Sequence, residues 1–245
     1  MARGELGARP LLVEIIKRSL LYHRKIIERN SDVTMAALKY ENSVYALKIE
    51  NSDNVLPNFL NYADRFNLST QHLLNTNRDV LKKACHKMCD NLWWSEIVKS
   101  PKAASYILFK NDVCMEDYLY IVKNSKERNA LIRFRLSNHD LMIEKGRHFR
   151  PKIEKSKRYC HFCKDKVENE VHFLTECPVY DEERKLLYET CRIYNRSGLI
   201  FDLIPTKEQI FTFILSSKNP NIINSLAKFL HNSFKIRDNM LQLKL

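Results

Sequence analysis

From residue 11 to residue 28 the apolar positions recur with the period of a helix. Leu12, Ile15, Ile16, Leu20, Ile26 and Ile27 fall on one side of the wheel, and Lys17, Arg18, Lys25 and Arg29 on the other. His23 shares the apolar stripe, has no partner at ligand spacing, and reads as a packed core histidine. The same periodicity predicts further helices near 33–49, 55–66, 77–98, 103–110, 126–136, 181–194, 207–216 and 220–236. Asp181, Glu182 and Glu183 follow Pro178 and place acid where a helix N-terminus favours it. Between the periodic segments, "EKGRHFRPKIEKSKR" (144–158) is polar, charged and broken by Gly146 and Pro151, so it reads as a linker.

Composition narrows the class. A chain of 245 residues is long enough to bury a core. Only four glycines accompany seven prolines, which leaves little material for tight hairpins and favours helices joined by polar loops. No apolar run approaches the roughly 20 residues of a membrane span, and "MARGELGARPLLVEII" lacks the apolar core and cleavage site of a signal peptide. Seven cysteines, an odd number without an export signal, point to reduced thiols and to the nucleus or cytoplasm. No membrane partner and no small-molecule substrate are expected.

The net charge of +12 suggests a polyanionic partner. Twelve Lys/Arg against four Asp/Glu between Lys123 and Arg158 supply +8 of it, two thirds of the excess. A solvated basic face is one reading of that density. The other is a phosphate-binding surface made by Arg133, Arg135, Lys145, Arg147, Arg150, Lys152, Lys155, Lys157 and Arg158.

That basic segment runs into "CHFCKDKVENEVHFLTEC", in which Cys160, Cys163, His172 and Cys177 lie within 18 residues. Two thiolates three apart on a tight turn can reach one tetrahedral ion, and "VHFLTEC" adds a histidine and a cysteine about one helical turn apart. Three sulfurs and one imidazole complete the four positions of zinc. Closed coordination leaves no place for an activated water, so one structural Zn²⁺ is expected. His161 competes as a ligand but sits inside the turn, where its side chain should point away. Cys85 and Cys89 share a helix face, lack a second pair nearby, and read as core thiols.

"ALIRFRLSNHDLMIEKGRH" (130–148) followed by "RYCHFC" and "ENEVHFLTECPVYDEERKLL" resembles the segment downstream of the polymerase domain in LINE-type non-LTR retrotransposon reverse transcriptases. "GELGARPLLVEIIKRSLLYHRKI" is similar to the helix that follows the polymerase core there. The similarity runs over most of residues 4 to 190 and is strongest from Arg133 to Leu187. It implies a zinc-binding module whose ligands map onto Cys160, Cys163, His172 and Cys177, with a role in gripping template RNA or target DNA.

Polymerase chemistry needs paired carboxylates on a hairpin to hold two Mg²⁺ ions. The nearest match, "NYADRFN", places Arg65 beside Asp64 within a helical pattern, so no catalytic activity is expected. Ser137, His139 and Asp140 in "RLSNHD" are too close in sequence to form a relay, and a helix end capped at Asn138 accounts for them.

The expected fold is mainly α. A helical region (1–143) leads through the basic linker (144–158) to a small zinc knuckle (159–180) and C-terminal helices (181–245). Two functions remain open. One is a non-catalytic nucleic-acid-binding fragment in which Phe149, Tyr159, His161 and Phe162 stack on unpaired bases. The other is a helical protein–protein interaction module stapled by zinc. Its support is the long helical scaffold and the weakly acidic finger, where Lys164 and Lys166 face Asp165, Glu168, Glu170 and Glu176.

Overall fold

The computed structural model describes residues 1–9, 11–29, 31–33, 35–36, 39–40, 78–194 and 201–243. The elements in chain order are α1 (Ala2–Glu5), α2 (Leu11–Arg29), α3 (Arg78–Lys99), α4 (Tyr118–Ile121), α5 (Ser125–Arg135), α6 (Met142–Lys145), α7 (Glu170–Thr175), α8 (Asp181–Tyr194), α9 (Lys207–Ser216) and α10 (Pro220–Gln242). The fold is mainly α. Among the described residues the only β pairing is two isolated antiparallel bridges, Leu6 with Met115 and Tyr159 with Val167. No described helix is long and apolar enough to cross a membrane.

The helix ends follow the sequence closely. Asn124, Asn169, Thr206 and Asn219 cap α5, α7, α9 and α10 by accepting from first-turn amides. Pro220 takes the first position of α10, where its missing N–H costs nothing. The expected helix at 103–110 is instead two 3₁₀ turns, Pro101–Ala103 and Tyr106–Leu108. The expected helix at 55–66, with Asp64, lies outside the described residues, as does most of 33–49.

The chain divides into two compact units, Arg9–Trp93 and Met1–Ala8 with Trp94–Leu245. In the first, Glu14 pairs with Lys17 and Arg18, and Arg9 with Asp90. Cys85, Cys89 and Trp93 are buried, so the two cysteines are the core thiols their spacing suggested. Ile15 is exposed despite its place on the apolar stripe, while the side chain of His23 lies outside the described residues.

In the second unit α5, α8 and α10 pack around Leu131, Phe134, Leu187, Leu226, Phe229 and Leu230. Phe173 and Tyr180 join the same core. A buried ionic network lies beside it. Arg135 sends Nε and Nη2 to the two oxygens of Glu5, at 2.7 and 3.0 Å, and Nη1 to the Leu215 carbonyl at 2.7 Å. Tyr118 donates to Glu5, and Arg135 also pairs with Glu116 at 3.2 Å.

The N-terminal segment is held there by a close backbone approach. Gly7 has φ +61°, and a Cβ at that position would lie 2.6 Å from the Met115 amide nitrogen. Gly7→Ala is therefore expected to destabilise this unit. The left-handed backbone alone costs about 1–2 kcal/mol, and the clash with a backbone atom adds to it. A urea melt of the variant measures the sum.

Candidate metal centre

The Tyr159–Val167 bridge brings the two sides of a short loop together, and the Cys160 amide donates to the Lys166 carbonyl at 2.8 Å. The Lys164 amide returns to the Cys160 carbonyl at 2.9 Å, with Lys164 itself at φ +62°. This tight turn points Cys160 and Cys163 the same way. α7 then supplies His172 from its first turn, where Asn169 accepts from the His172 amide at 2.8 Å. Cys177 follows the end of α7, its amide bonded to the His172 carbonyl at 2.9 Å.

Buried Arg184 fixes that end. It donates to the carbonyls of Leu174 at 2.9 Å and Cys177 at 2.6 Å, and it pairs with Asp181. One guanidinium thereby satisfies carbonyls that the short helix leaves open.

The Sγ atoms of Cys160, Cys163 and Cys177 and a ring nitrogen of His172 all lie within 4.8 Å of one another. Cys163 Sγ is 3.6 Å from both His172 Nε2 and Cys177 Sγ. Tetrahedral ligands at zinc–sulfur and zinc–nitrogen bond lengths stand about 3.5–3.8 Å apart. The cluster therefore has the dimensions of a closed four-ligand metal site, and the group can hold one structural metal ion.

Its electrostatics point the same way. Contacts from Cys177 and then His172 hold the Cys160 thiol far below its ordinary value, while Cys177, at the other end of the shared contact, is pushed far up. Burial opposes charge on His172, yet Cys160 and Glu176 outweigh it and raise the imidazole. Three converging thiols compete for one negative charge, and a divalent cation removes that competition. Outside the four ligands, His172 Nδ1 lies 3.5 Å from Glu176, which pairs with Lys166 at 2.8 Å. A carboxylate behind the distal nitrogen orients a metal-ligating histidine. His161 is exposed and outside the cluster, as expected.

A second group, Asp112, Cys114 and Glu116, has ligand atoms equally close together. A cation already sits among them. Lys110 Nζ lies 3.0 Å from Asp112, 2.5 Å from Glu116 and 3.2 Å from Cys114 Sγ. The ammonium supplies the positive charge that a metal would bring.

The predicted phosphate contacts divide. Lys145, Arg150, Lys152, Lys155 and Lys157 are exposed. Arg133 is also exposed, tied to Asp140 at 3.1 Å. Arg147 is half-buried, on the Pro101 carbonyl and Glu144. Two residues are corrected. Arg135 is 4% exposed and committed to Glu5, and Arg158 is 8% exposed and donates to the carbonyls of Ile143 and Ile153. Neither guanidinium can reach a phosphate. The Arg158 bonds, with Ile153 donating to the Gly146 carbonyl, also tie the two ends of 144–158 to each other and to Ile143.

Residues that sequence reasoning missed hold the site from behind. Arg237 on α10 makes a two-pronged contact with Glu168 at 2.9 Å on each arm, and Glu168 accepts from the Met142 amide at 2.7 Å. Nothing local marks that pair, whose members are 69 positions apart. At the end of α5, Ser137 rather than Asn138 takes the left-handed position, at φ 49°, and Asn138 donates to the Arg133 carbonyl. Ser137 and His139 both converge on buried Glu170, at 2.9 and 3.1 Å. Comparison with protein-family models, with curated proteins and with solved structures finds no match to this chain.

Proposed function

We propose that the chain is a non-catalytic nucleic-acid-binding module organised by one structural zinc ion, akin to the region beyond the polymerase in LINE-type reverse transcriptases. The observation that carries this reading is a juxtaposition. The Cys160–Cys163 turn is entered by a segment whose cations Lys145, Arg150, Lys152, Lys155 and Lys157 all face solvent. Phe149 and Tyr159, 44% and 47% exposed, stand among them as surfaces on which unpaired bases can stack. Three sulfurs and a nitrogen select zinc over the oxygen-seeking cations.

If all five exposed cations touch phosphates, log affinity should fall with log salt at a slope of about −3.5 for single strands to −4.5 for duplex. Reversing Lys145, Arg150, Lys152, Lys155 and Lys157 to Glu is expected to abolish binding of RNA and DNA while leaving zinc content unchanged. Reversing Lys17, Arg18, Lys25 and Arg29 is expected to do much less. Fluorescence anisotropy across a salt series reads both, and equal binding by the two variants would remove the proposal.

A second reading, a protein-interaction module, draws on α8. Leu186 and Ile193 there are 57% and 73% exposed, beside Glu183 and Glu189. It expects weak nucleic-acid binding that is indifferent to which basic patch is reversed.

A further inference from the structure

Away from the metal centre, α5 and α10 enclose a pocket of about 450 Å³. Lys126, Asn129, Ala130 and Arg133 reach it from α5, and His231, Phe234, Lys235 and Asp238 from α10. Each set follows an i, i+3, i+4, i+7 spacing, so each helix offers one continuous face to the pocket. The charged lining is mixed: Lys126, Arg133 and Lys235 stand against Asp140, which Arg133 pairs, and Asp238, so the cations outnumber the carboxylates by one.

The cations are available. Lys126 and Lys235 form no ion pair among the described residues. Arg133 uses Nε on the Asn138 carbonyl and Nη2 on Asp140, which leaves Nη1. The inner wall is aromatic, with the ring of Phe234 stacked on His139 at 6.2 Å and 27°. His139 also lines the pocket. Its side chain is 1% exposed, its Nε2 is held by Glu170 at 3.1 Å, and its buried Nδ1 has no hydrogen-bond partner. That nitrogen is covered by protein, so His139 closes the wall and offers the pocket no polar contact.

We propose that this pocket binds a nucleoside monophosphate unit, either free or as the phosphorylated end of a strand. Lys126, Lys235 and Arg133 Nη1 hold the phosphate at the rim. The base lies against Phe234. The volume lies within the range of small-ligand sites, and the mixture of an apolar wall with a few converging polar groups is their usual lining. Cations alone would fit any anion, and an aromatic wall alone any apolar ring. Together, with Asn129 and Asn239 at the margin, they fit a phosphate joined to a heteroaromatic ring.

The proposal is independent of strand binding through residues 145–157, from which it borrows no side chain. Equilibrium dialysis of the zinc-loaded chain against AMP, adenosine and inorganic phosphate tests it. AMP is expected to bind at least tenfold more tightly than either part. Lys126→Ala combined with Lys235→Ala, both exposed positions, should weaken AMP at least tenfold without changing zinc content or thermal unfolding. Phe234→Leu should weaken AMP and leave phosphate unchanged. The five-residue reversal at Lys145, Arg150, Lys152, Lys155 and Lys157 should leave AMP binding intact, which separates failure of the strand-binding reading from failure of this one.

Short oligonucleotides with and without a 5′-phosphate distinguish the sources. Competition with AMP by the phosphorylated end alone assigns the pocket to strand termini, and competition by neither assigns it to the free nucleotide. No AMP binding at millimolar concentration, binding matched by phosphate alone, or binding unaffected by the lysine substitutions would each overturn the proposal.

Discussion

Purified in reductant without chelator, the chain is expected to contain one zinc ion, and Cys177→Ala to lose it with a large loss of stability. The argument rests on where the ligands lie. Cys160, His172 and Cys177 are 2%, 4% and 0% exposed, so the site is part of the interior rather than an appendage. Zinc bound by such a set contributes on the order of 10 kcal/mol to folding in small finger peptides. Removing one ligand also leaves two thiols and an imidazole converging without the charge that holds them. A deficit above about 4 kcal/mol is expected, beyond the range of ordinary substitutions. His161→Ala, inside the same turn, should retain the metal and stay within about 0.5 kcal/mol of the parent. Elemental analysis paired with urea unfolding decides the matter. A metal-free chain as stable as the loaded one, or a Cys177→Ala variant with unchanged zinc, would contradict it. Zinc affinity should weaken in mild acid, because thiols and imidazole must lose protons to bind.

Arg135→Ala is expected to cost about 3–5 kcal/mol, the usual penalty for removing one partner of a buried ion pair. Arg133→Ala, two residues away and exposed, should cost about 0.5 kcal/mol or less. The difference follows from Glu5, which is 2% exposed and would be left without its cation. Burial raises the Glu5 carboxyl, but the hydrogen bonds and charge of Arg135 outweigh it and hold the group below its ordinary value of 4.5. A carboxylate held low stabilises the folded state above its unfolded value, and that contribution disappears as pH falls through the lower folded value. Without Arg135, burial is opposed by the tyrosine hydrogen bonds and no longer by the guanidinium, and the carboxyl takes up its proton more readily. The deficit of Arg135→Ala should therefore be largest near neutral pH and shrink below about pH 4.5. Urea midpoints from pH 7 to pH 3 measure it, and a deficit independent of pH would assign the loss to packing alone.

The candidate metal site was legible because its four side chains are close in sequence and their chemistry is rare in combination. α8 and α9 were legible for a related reason. Their apolar spacing, the acids at 181–183 and the Thr206 cap are local signals that the packing does not oppose. Charge was harder to read. Lys145 and Arg135 look alike in a list of cations, yet one faces water and the other is paired with Glu5 from 130 positions away. No periodicity reports a partner at that distance. The segment 103–110 failed for a different reason. Its apolar residues are numerous enough for a helix, but the chain turns twice in 3₁₀ geometry and buries Ala103 and Tyr106 instead. The pocket between α5 and α10 was not legible, because only packing sets Lys126 and Arg133 opposite Lys235.

His172 and Phe173 are consecutive, and they serve different neighbourhoods. His172 turns to the three sulfurs, while Phe173 meets Phe134 from α5 and both Phe229 and Phe234 from α10. A peptide cut at 159 and 180 would keep every ligand and expose Phe173, Leu174 and Tyr180, each 1% exposed or less in the intact chain. The Cys/His segment is consequently a poor cassette. Moved by recombination or grafted onto another scaffold, it would arrive without the surface that seats it. An inheritable piece must carry α5 to α10, and with them Glu5 and Tyr118, without which Arg135 would be buried unpaired.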